Sequence, residues 1–312
     1  MTVKEYFTEW LTNKKPELEA STYDTYTICV NKHIIPYLEA LGKTRENITP
    51  MDIKRYTTEK LTRGRVDDNG GLSRVSVRKH LSIIKQAFRE AALYELIAKN
   101  PAEPIKMPRV RSVSERTEFI TLTQAKRILT ALKGHPLYEL VYITLYYGLR
   151  RSEVLGLKWS AVDFGEDALH INHTVVKNLT IVAKDRTKTD SSRRTFPLFP
   201  EVKEMLLRMK EASNGRSEYI FTWEDGRLYR PDYVTRGFQR ALRSKGEKVI
   251  RFHDLRHATA SLLFDMGWSV PDVQHWLGHS DIETTMNIYV AYNQERKIAV
   301  GGALQGVFAG LG

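Results

Sequence analysis

Chemistry is most concentrated in the stretch Leu277-Gly278-His279-Ser280-Asp281-Ile282-Glu283-Thr284-Thr285-Met286-Asn287-Ile288-Tyr289, which sets a histidine and a tyrosine ten positions apart across a turn. A phenol is almost fully protonated at neutral pH, so Tyr289 can serve as a nucleophile only toward an electrophile activated by fixed positive charge. A phosphodiester gripped by arginines is such an electrophile. Candidate arginines stand upstream. In Arg251-Phe252-His253-Asp254-Leu255-Arg256-His257, His253 and Arg256 share one face of a helix and can approach one ligand together. In Gly148-Leu149-Arg150-Arg151-Ser152-Glu153, the glycine breaks a helix and can turn Arg150 inward. Lys188, at the tip of a hairpin read over residues 187–198, is a candidate proton donor, with Lys184 as its rival. Taken singly, a surface arginine pair or a hairpin lysine is more often solvated; only their convergence carries weight.

A metal site is the competing reading, because His253 and His257, and again His275 and His279, have four-residue spacing. The first pair lacks the glutamate of HExxH, and Arg256 between them repels a cation. No cluster of Asp and Glu of the kind that holds magnesium is evident. No metal or other cofactor is therefore expected, and His257 and His275 are read as packed or hydrogen-bonded structural residues.

A chain of 312 residues exceeds one hydrophobic core, so two domains are expected. Its 48 Lys and Arg against 37 Asp and Glu leave a net charge of +11, which favours a polyanionic partner, nucleic acid before membrane. The single cysteine, Cys29, excludes an internal disulfide and a thiolate cluster, and is read as a packing residue. The N-terminus lacks the pattern of a secretory signal and no apolar run is long enough to span a bilayer, so the expectation is an intracellular protein.

The elements that must position these residues begin with a capping box, Thr2 and Glu5, ahead of Val3, Phe7, Trp10 and Leu11 at helical spacing. A second helix is predicted from near Ser21 toward Leu41, and a third after Thr49-Pro50. After a loop over residues 63–71, Ser73 caps a helix with Val77, Leu81, Ile84 and Phe88 inward, predicted to end before Asn100-Pro101. Its other side carries Arg74, Arg78, Lys85 and Arg89. A charged stripe is usually a solvated face, but with this net charge it is read as a phosphate-contacting ridge. Lys106, Arg109 and Arg111, following Pro101 and Pro104 and flanking Pro108, mark residues 106–118 as a basic linker crossing the DNA backbone. The domains are thus placed at 1–105 and 119–312. In the second, Thr121 and Gln124 cap a helix, Leu137 to Tyr147 is a buried helix, and residues 169–182 alternate as strands. Leu304, Val307, Phe308 and Leu311 suggest a short Gly-rich tail helix, which must dock on something because it would not stand alone in water.

With GLRRSE, the hairpin lysine, HDLRH, LGHS and the terminal tyrosine in this order, the chain resembles the tyrosine recombinases of the phage and transposon integrase type. The resemblance spans essentially the whole chain. It implies a mainly α fold with a small antiparallel β-sheet in the catalytic domain, arranged as a two-domain C-shaped DNA clamp. It assigns Arg150, Lys188, His253, Arg256, His279 and Tyr289 as catalytic, with Tyr289 favoured over Tyr292 by its spacing from His279. It also implies cleavage and rejoining of double-stranded recombination sites through a 3′-phosphotyrosine and a Holliday junction, to integrate or excise a mobile element. A homotetramer on DNA, accessory DNA-bending or directionality factors and a cytoplasmic, nucleoid-associated location belong to the same expectation. Two alternatives remain open at this point: a type IB topoisomerase-like enzyme that nicks and rejoins a strand to relax supercoils, and a non-catalytic basic DNA-binding protein.

Overall fold

The computed structural model describes residues 1–66, 69–108, 120–177, 181–184 and 193–309, without the side chains of 177, 181–184, 295, 298–300, 302–304 and 306–309. Lys188, Arg109, Arg111, Leu311 and most of the predicted linker therefore lie outside the described residues, as do the side chains of Lys184, Leu304, Val307 and Phe308. The chain divides into two units, Met1–Ser112 and Val113–Gly312.

In the first unit, Thr2 accepts from the Glu5 backbone and Glu5 returns the bond, fixing the start of α1 (Val3–Lys14). The predicted second helix is three pieces: α2 (Ala20–Cys29), a π turn over Val30–Ile34 and α3 (Ile35–Glu39). The Ile35 N–H reaches back five residues to the Val30 carbonyl, just before Pro36, which has no N–H to offer an α-type bond. α4 (Pro50–Arg63) starts at a box made by Thr49 and Asp52, and α5 (Arg74–Leu93) at Ser73. α5 ends earlier than predicted. Glu95 takes a left-handed conformation and the Leu96 N–H closes on the Ala91 carbonyl, a stop that no glycine or proline announces. Phe7, Ile34, Tyr56, Ile84 and Phe88 are fully buried, and Cys29 packs among them as expected. Burying a side chain such as Phe88 contributes about 1.5–3 kcal/mol.

The second unit begins with α6 (Leu122–Leu132), capped by Thr121 and Gln124, and α7 (Tyr138–Tyr147), which runs through the centre of its core. Gly148 ends α7 at φ +65°, and a Cβ there would come within 2.4 Å of the Leu277 side chain, so only glycine fits. After α8 (Arg151–Leu155) come β1 (Val162–Asp163), β2 (Ala168–Ile171), β3 (Thr174–Lys177), β4 (Ile181–Lys184) and β5 (Arg194–Pro197). β3 and β4 form an antiparallel hairpin apart from the three-stranded antiparallel sheet, in which β2 lies between β1 and β5. The Leu169–Phe196 register buries both side chains against α7.

Helices α9 (Pro200–Ser213), α10 (Pro231–Ser244), α11 (Asp254–Asp265) and α12 (Val270–Leu277) complete this core, and the unit is mainly helical around its small sheet. α13 (Ile282–Ala309) then runs unbroken for 28 residues. The predicted separate tail helix is instead the continuation of the helix that carries Tyr289. Ile288 and Tyr292 join Ala260, Leu263, Phe264, Val273 and Leu277 in a satellite cluster beside the main core. No helix among the described residues is long and apolar enough to cross a membrane.

Candidate active site

Arg256 sits in the first turn of α11 and is 1% exposed. A guanidinium has five N–H donors and needs partners when buried. Nη1 donates to the Gly148 carbonyl at 2.7 Å, Nη2 to the Leu277 carbonyl at 2.6 Å, and Nε to His279 Nε2 at 3.3 Å. The two carbonyls lie at the C-terminal ends of α7 and α12, where orphan oxygens and the negative end of the helix dipole favour a cation. Two N–H groups remain without a hydrogen-bond partner among the described residues. Burial, and next the guanidinium of Arg150, push Arg256 down to about 9, which still leaves it charged at neutral pH.

Arg150 precedes α8, where the break at Gly148 turns it inward as the sequence suggests. Its Nη2 donates to the Gly278 carbonyl at 2.8 Å and its Nη1 to Glu153 at 2.6 Å. Glu153 is the hub. Buried to 1%, it pairs with Arg150 at 2.6 Å and Arg194 at 2.9 Å, and lies 3.8 Å from Arg256. Burial opposes its ionisation, but Arg194, Arg150 and Arg256 outweigh that and hold the carboxyl at about 2. The carboxylate therefore keeps three cations close together, Arg194 and Arg256 buried and Arg150 partly exposed.

His279 follows Gly278 beyond the end of α12. Its Nε2 accepts from Arg256, and its Nδ1 lies 2.7 Å from Thr285 Oγ1 on the first turns of α13. Burial, then Arg256 and Arg150, push the imidazole down to about 3, so the ring is neutral at physiological pH. His253, at the start of α11, meets His257 edge-on with centroids 4.9 Å apart. Burial on its protein-facing side, then His257 and Arg256, lower it as well. His257 is packed as expected, whereas His275 is exposed on α12 because its helix presents that side to solvent.

Tyr289 is half-buried, and its ring packs edge-on against Phe264 at 5.1 Å. Among the described residues its hydroxyl has no hydrogen-bond partner. Tyr292 differs: it is 7% exposed, and its hydroxyl donates to Asp265 at 2.6 Å and accepts from Arg296 at 3.3 Å. Burial and the hydrogen bond to Asp265 raise its pKa.

Of the six residues singled out, Arg150, His253, Arg256 and His279 are thus brought together. Tyr289 stands one helical turn after Thr285, which touches this group, and Lys188 lies outside the described residues. Sequence reasoning missed Glu153, Arg194 and Thr285 as partners. The signals were an acid three residues after Arg150, which is one helical turn, and a threonine four before Tyr289. Of the basic residues elsewhere, Arg78, Arg89 and Lys106 are exposed. Arg74 instead donates to the Pro108 carbonyl and Lys85 to the Glu103 carbonyl at 2.9 Å, tying down the end of their own unit. Among the described residues no group of three or more His, Cys, Asp or Glu could hold a metal ion.

The fold is that of DNA integrases. A Tn1549 transposon integrase bound to transposon right end DNA superposes with a TM-score of 0.77 over 93% of this chain and 95% of that one, at 21% identity. A lambda integrase tetramer bound to a Holliday junction gives 0.69 over 90% and 78%, at 20% identity. In sequence, residues 118–296 match the phage integrase family and residues 2–61 its N-terminal SAM-like domain, and the chain belongs to that family. A XerC-like tyrosine recombinase of Caldanaerobacter subterraneus is 29% identical, over 89% of this chain and 76% of its own. A tyrosine recombinase of Thermosipho africanus is 27% identical over 96% and 98%, and the ICEBs1 integrase of Bacillus subtilis 25% identical over 86% and 73%. The chain is a tyrosine-type site-specific recombinase acting on DNA.

Proposed function

We propose that this recombinase integrates or excises a mobile element by cutting and rejoining DNA through a 3′-phosphotyrosine at Tyr289. One observation carries the reading: a guanidinium cluster built on the buried Glu153 sits against His279, beside a helix whose Tyr289 hydroxyl has no hydrogen-bond partner among the described residues while that of Tyr292 is tied to Asp265. Arg150 and Arg256 grip the non-bridging oxygens and neutralise the charge that builds in the transition state. The Tyr289 oxygen attacks phosphorus and its proton passes to His253, which is neutral at physiological pH because its pKa is lowered. The bond from phosphorus to the 5′ oxygen breaks, and Lys188 supplies that oxygen with a proton. His279 donates to a non-bridging oxygen. Bond energy is kept in the phosphotyrosine ester, so rejoining needs no nucleotide.

Arg78, Arg89 and Lys106 contact phosphates of duplex DNA, so affinity falls steeply with salt. Four protomers exchange strands through a Holliday junction, with accessory factors setting direction. Likeness to a transposon integrase and to the ICEBs1 integrase supports the mobile-element role, and likeness to the lambda tetramer supports the assembly.

A nicked suicide duplex tests the chemistry. The expected product is one covalent peptide adduct mapping to Tyr289, with Tyr289→Phe retaining DNA binding and forming none. An adduct that persists in Tyr289→Phe, or maps to Tyr292, sinks the assignment. Strand exchange between two labelled duplexes separates recombination from simple relaxation of supercoils.

A further inference from the structure

Thr285 is 0% exposed, lies one turn before Tyr289 on α13, and directs its hydroxyl at the imidazole of His279. A buried threonine in a helix ordinarily turns its hydroxyl to a carbonyl of the preceding turn, as Thr144 does to Leu140 at 2.7 Å. Thr285 instead meets the one ring nitrogen of His279 that Arg256 does not.

The bonding fixes the tautomer. The Arg256 Nε–H donates to His279 Nε2, so Nε2 carries the lone pair, and the ring proton is on Nδ1, pointing at Thr285 Oγ1. In that form His279 offers no N–H on its Arg256 side. To donate to a phosphate oxygen there, it must carry the proton on Nε2, and its Nδ1 must then accept. A hydroxyl can be the partner in both states, since it accepts or donates by rotating.

We propose that Thr285 is a positioning residue that lets His279 exchange tautomers when DNA enters. Nδ1 passes its proton to the Thr285 hydroxyl, which releases its own to water, and water returns one proton to Nε2, so the ring stays neutral and the Thr285 hydroxyl changes from acceptor to donor. The exchange also frees the Arg256 Nε–H from His279, so one event points two donors at the phosphate. Because Thr285 and Tyr289 share a helix, the same bond seats the tyrosine-bearing turn against the arginine cluster. This inference rests on the phosphotyrosine reading above, in which His279 donates to the phosphate.

The test uses the full chain. Thr285→Val keeps the β-branched shape and removes the hydroxyl, whereas Thr285→Ser restores it. We expect Val to slow single-turnover adduct formation about 10- to 100-fold, less than the roughly 100- to 1000-fold for losing a transition-state donor outright. DNA affinity should be unchanged, and Ser should recover most of the rate. In parallel, ring 15N shifts of His279 are read in Tyr289→Phe, free and on an intact duplex. They should show the proton moving from Nδ1 to Nε2. A Val variant that cleaves at the wild-type rate, or a ring that keeps one tautomer in both states, overturns the proposal. The nitrogen readout needs neither cleavage nor a foldable Val variant. If Tyr289→Phe still forms adducts, the phosphotyrosine reading fails instead, and the two failures are distinct.

Discussion

Arg256 and Tyr289 are held in opposite ways. Arg256 is 1% exposed and donates to three groups on two helix ends and a histidine, with Glu153 behind it. Tyr289 packs edge-on against Phe264 of the satellite cluster, and its helix shows Ile282, Met286 and Val290 to solvent at four-residue steps. The arginine cluster is therefore held by the same contacts that fold the second unit, whereas Tyr289 depends on a separate and smaller cluster. Preorganised charge serves catalysis best when it need not rearrange, and a nucleophile on a less extensively packed element can be presented without disturbing it.

The largest effect that can break this comparison comes from Arg256→Ala. It strips two helix-end carbonyls and Glu153 of a partner at once, so we expect a loss of about 3–5 kcal/mol in denaturant unfolding, as for one member of a buried ion pair. Adduct formation should fall by about 100- to 1000-fold, as for a lost transition-state donor. Undiminished stability would mean the arginine cluster is not part of the core.

Acid gives the next effect, and it acts on the arginine side. His279 is held at about 3 against an ordinary 6.5, so below pH 6.5 the unfolded chain binds a proton that the folded one refuses, and stability falls as pH drops toward 3. Glu153, at about 2 against 4.5, contributes stability that is fully present above 4.5 and is lost as pH falls through 2. Thermal midpoints should therefore decline in two stages, the second absent in Glu153→Gln. A flat profile from pH 7 to 3 would contradict the buried, neutral imidazole.

The smallest effect belongs to the tyrosine side. Tyr292→Phe removes one hydrogen bond to Asp265 and should cost about 1 kcal/mol. Adduct formation should stay within a few-fold of the parent, which sharpens the distinction between an anchoring tyrosine and an attacking one.

The starts of α1, α4 and α6 were readable because a capping box is complete within four residues: Thr2 with Glu5, Thr49 with Asp52, Thr121 with Gln124. The end of α5 was not, because Glu95 adopts a left-handed backbone that its side chain does not favour and only the surrounding packing imposes. Nor did the glycines after Tyr289 end its helix, since Gly301 lies within the continuous α13. The ordered motifs named Arg150, His253, Arg256, His279 and Tyr289 as a set, yet gave no sign that Arg194 closes the charge balance on Glu153.

By itself the sequence determined the helix starts, the apolar faces, the basic character and the residue types available for chemistry, because each is written in local spacing or in composition. Only the tertiary structure decided that Gly148 and Leu277 lend their carbonyls to Arg256, that three guanidiniums share one carboxylate, and which of two tyrosines has its hydroxyl engaged. Those outcomes depend on groups far apart along the chain meeting where water is excluded, and there the strength of a charge is set by its neighbours in space, which no periodicity records.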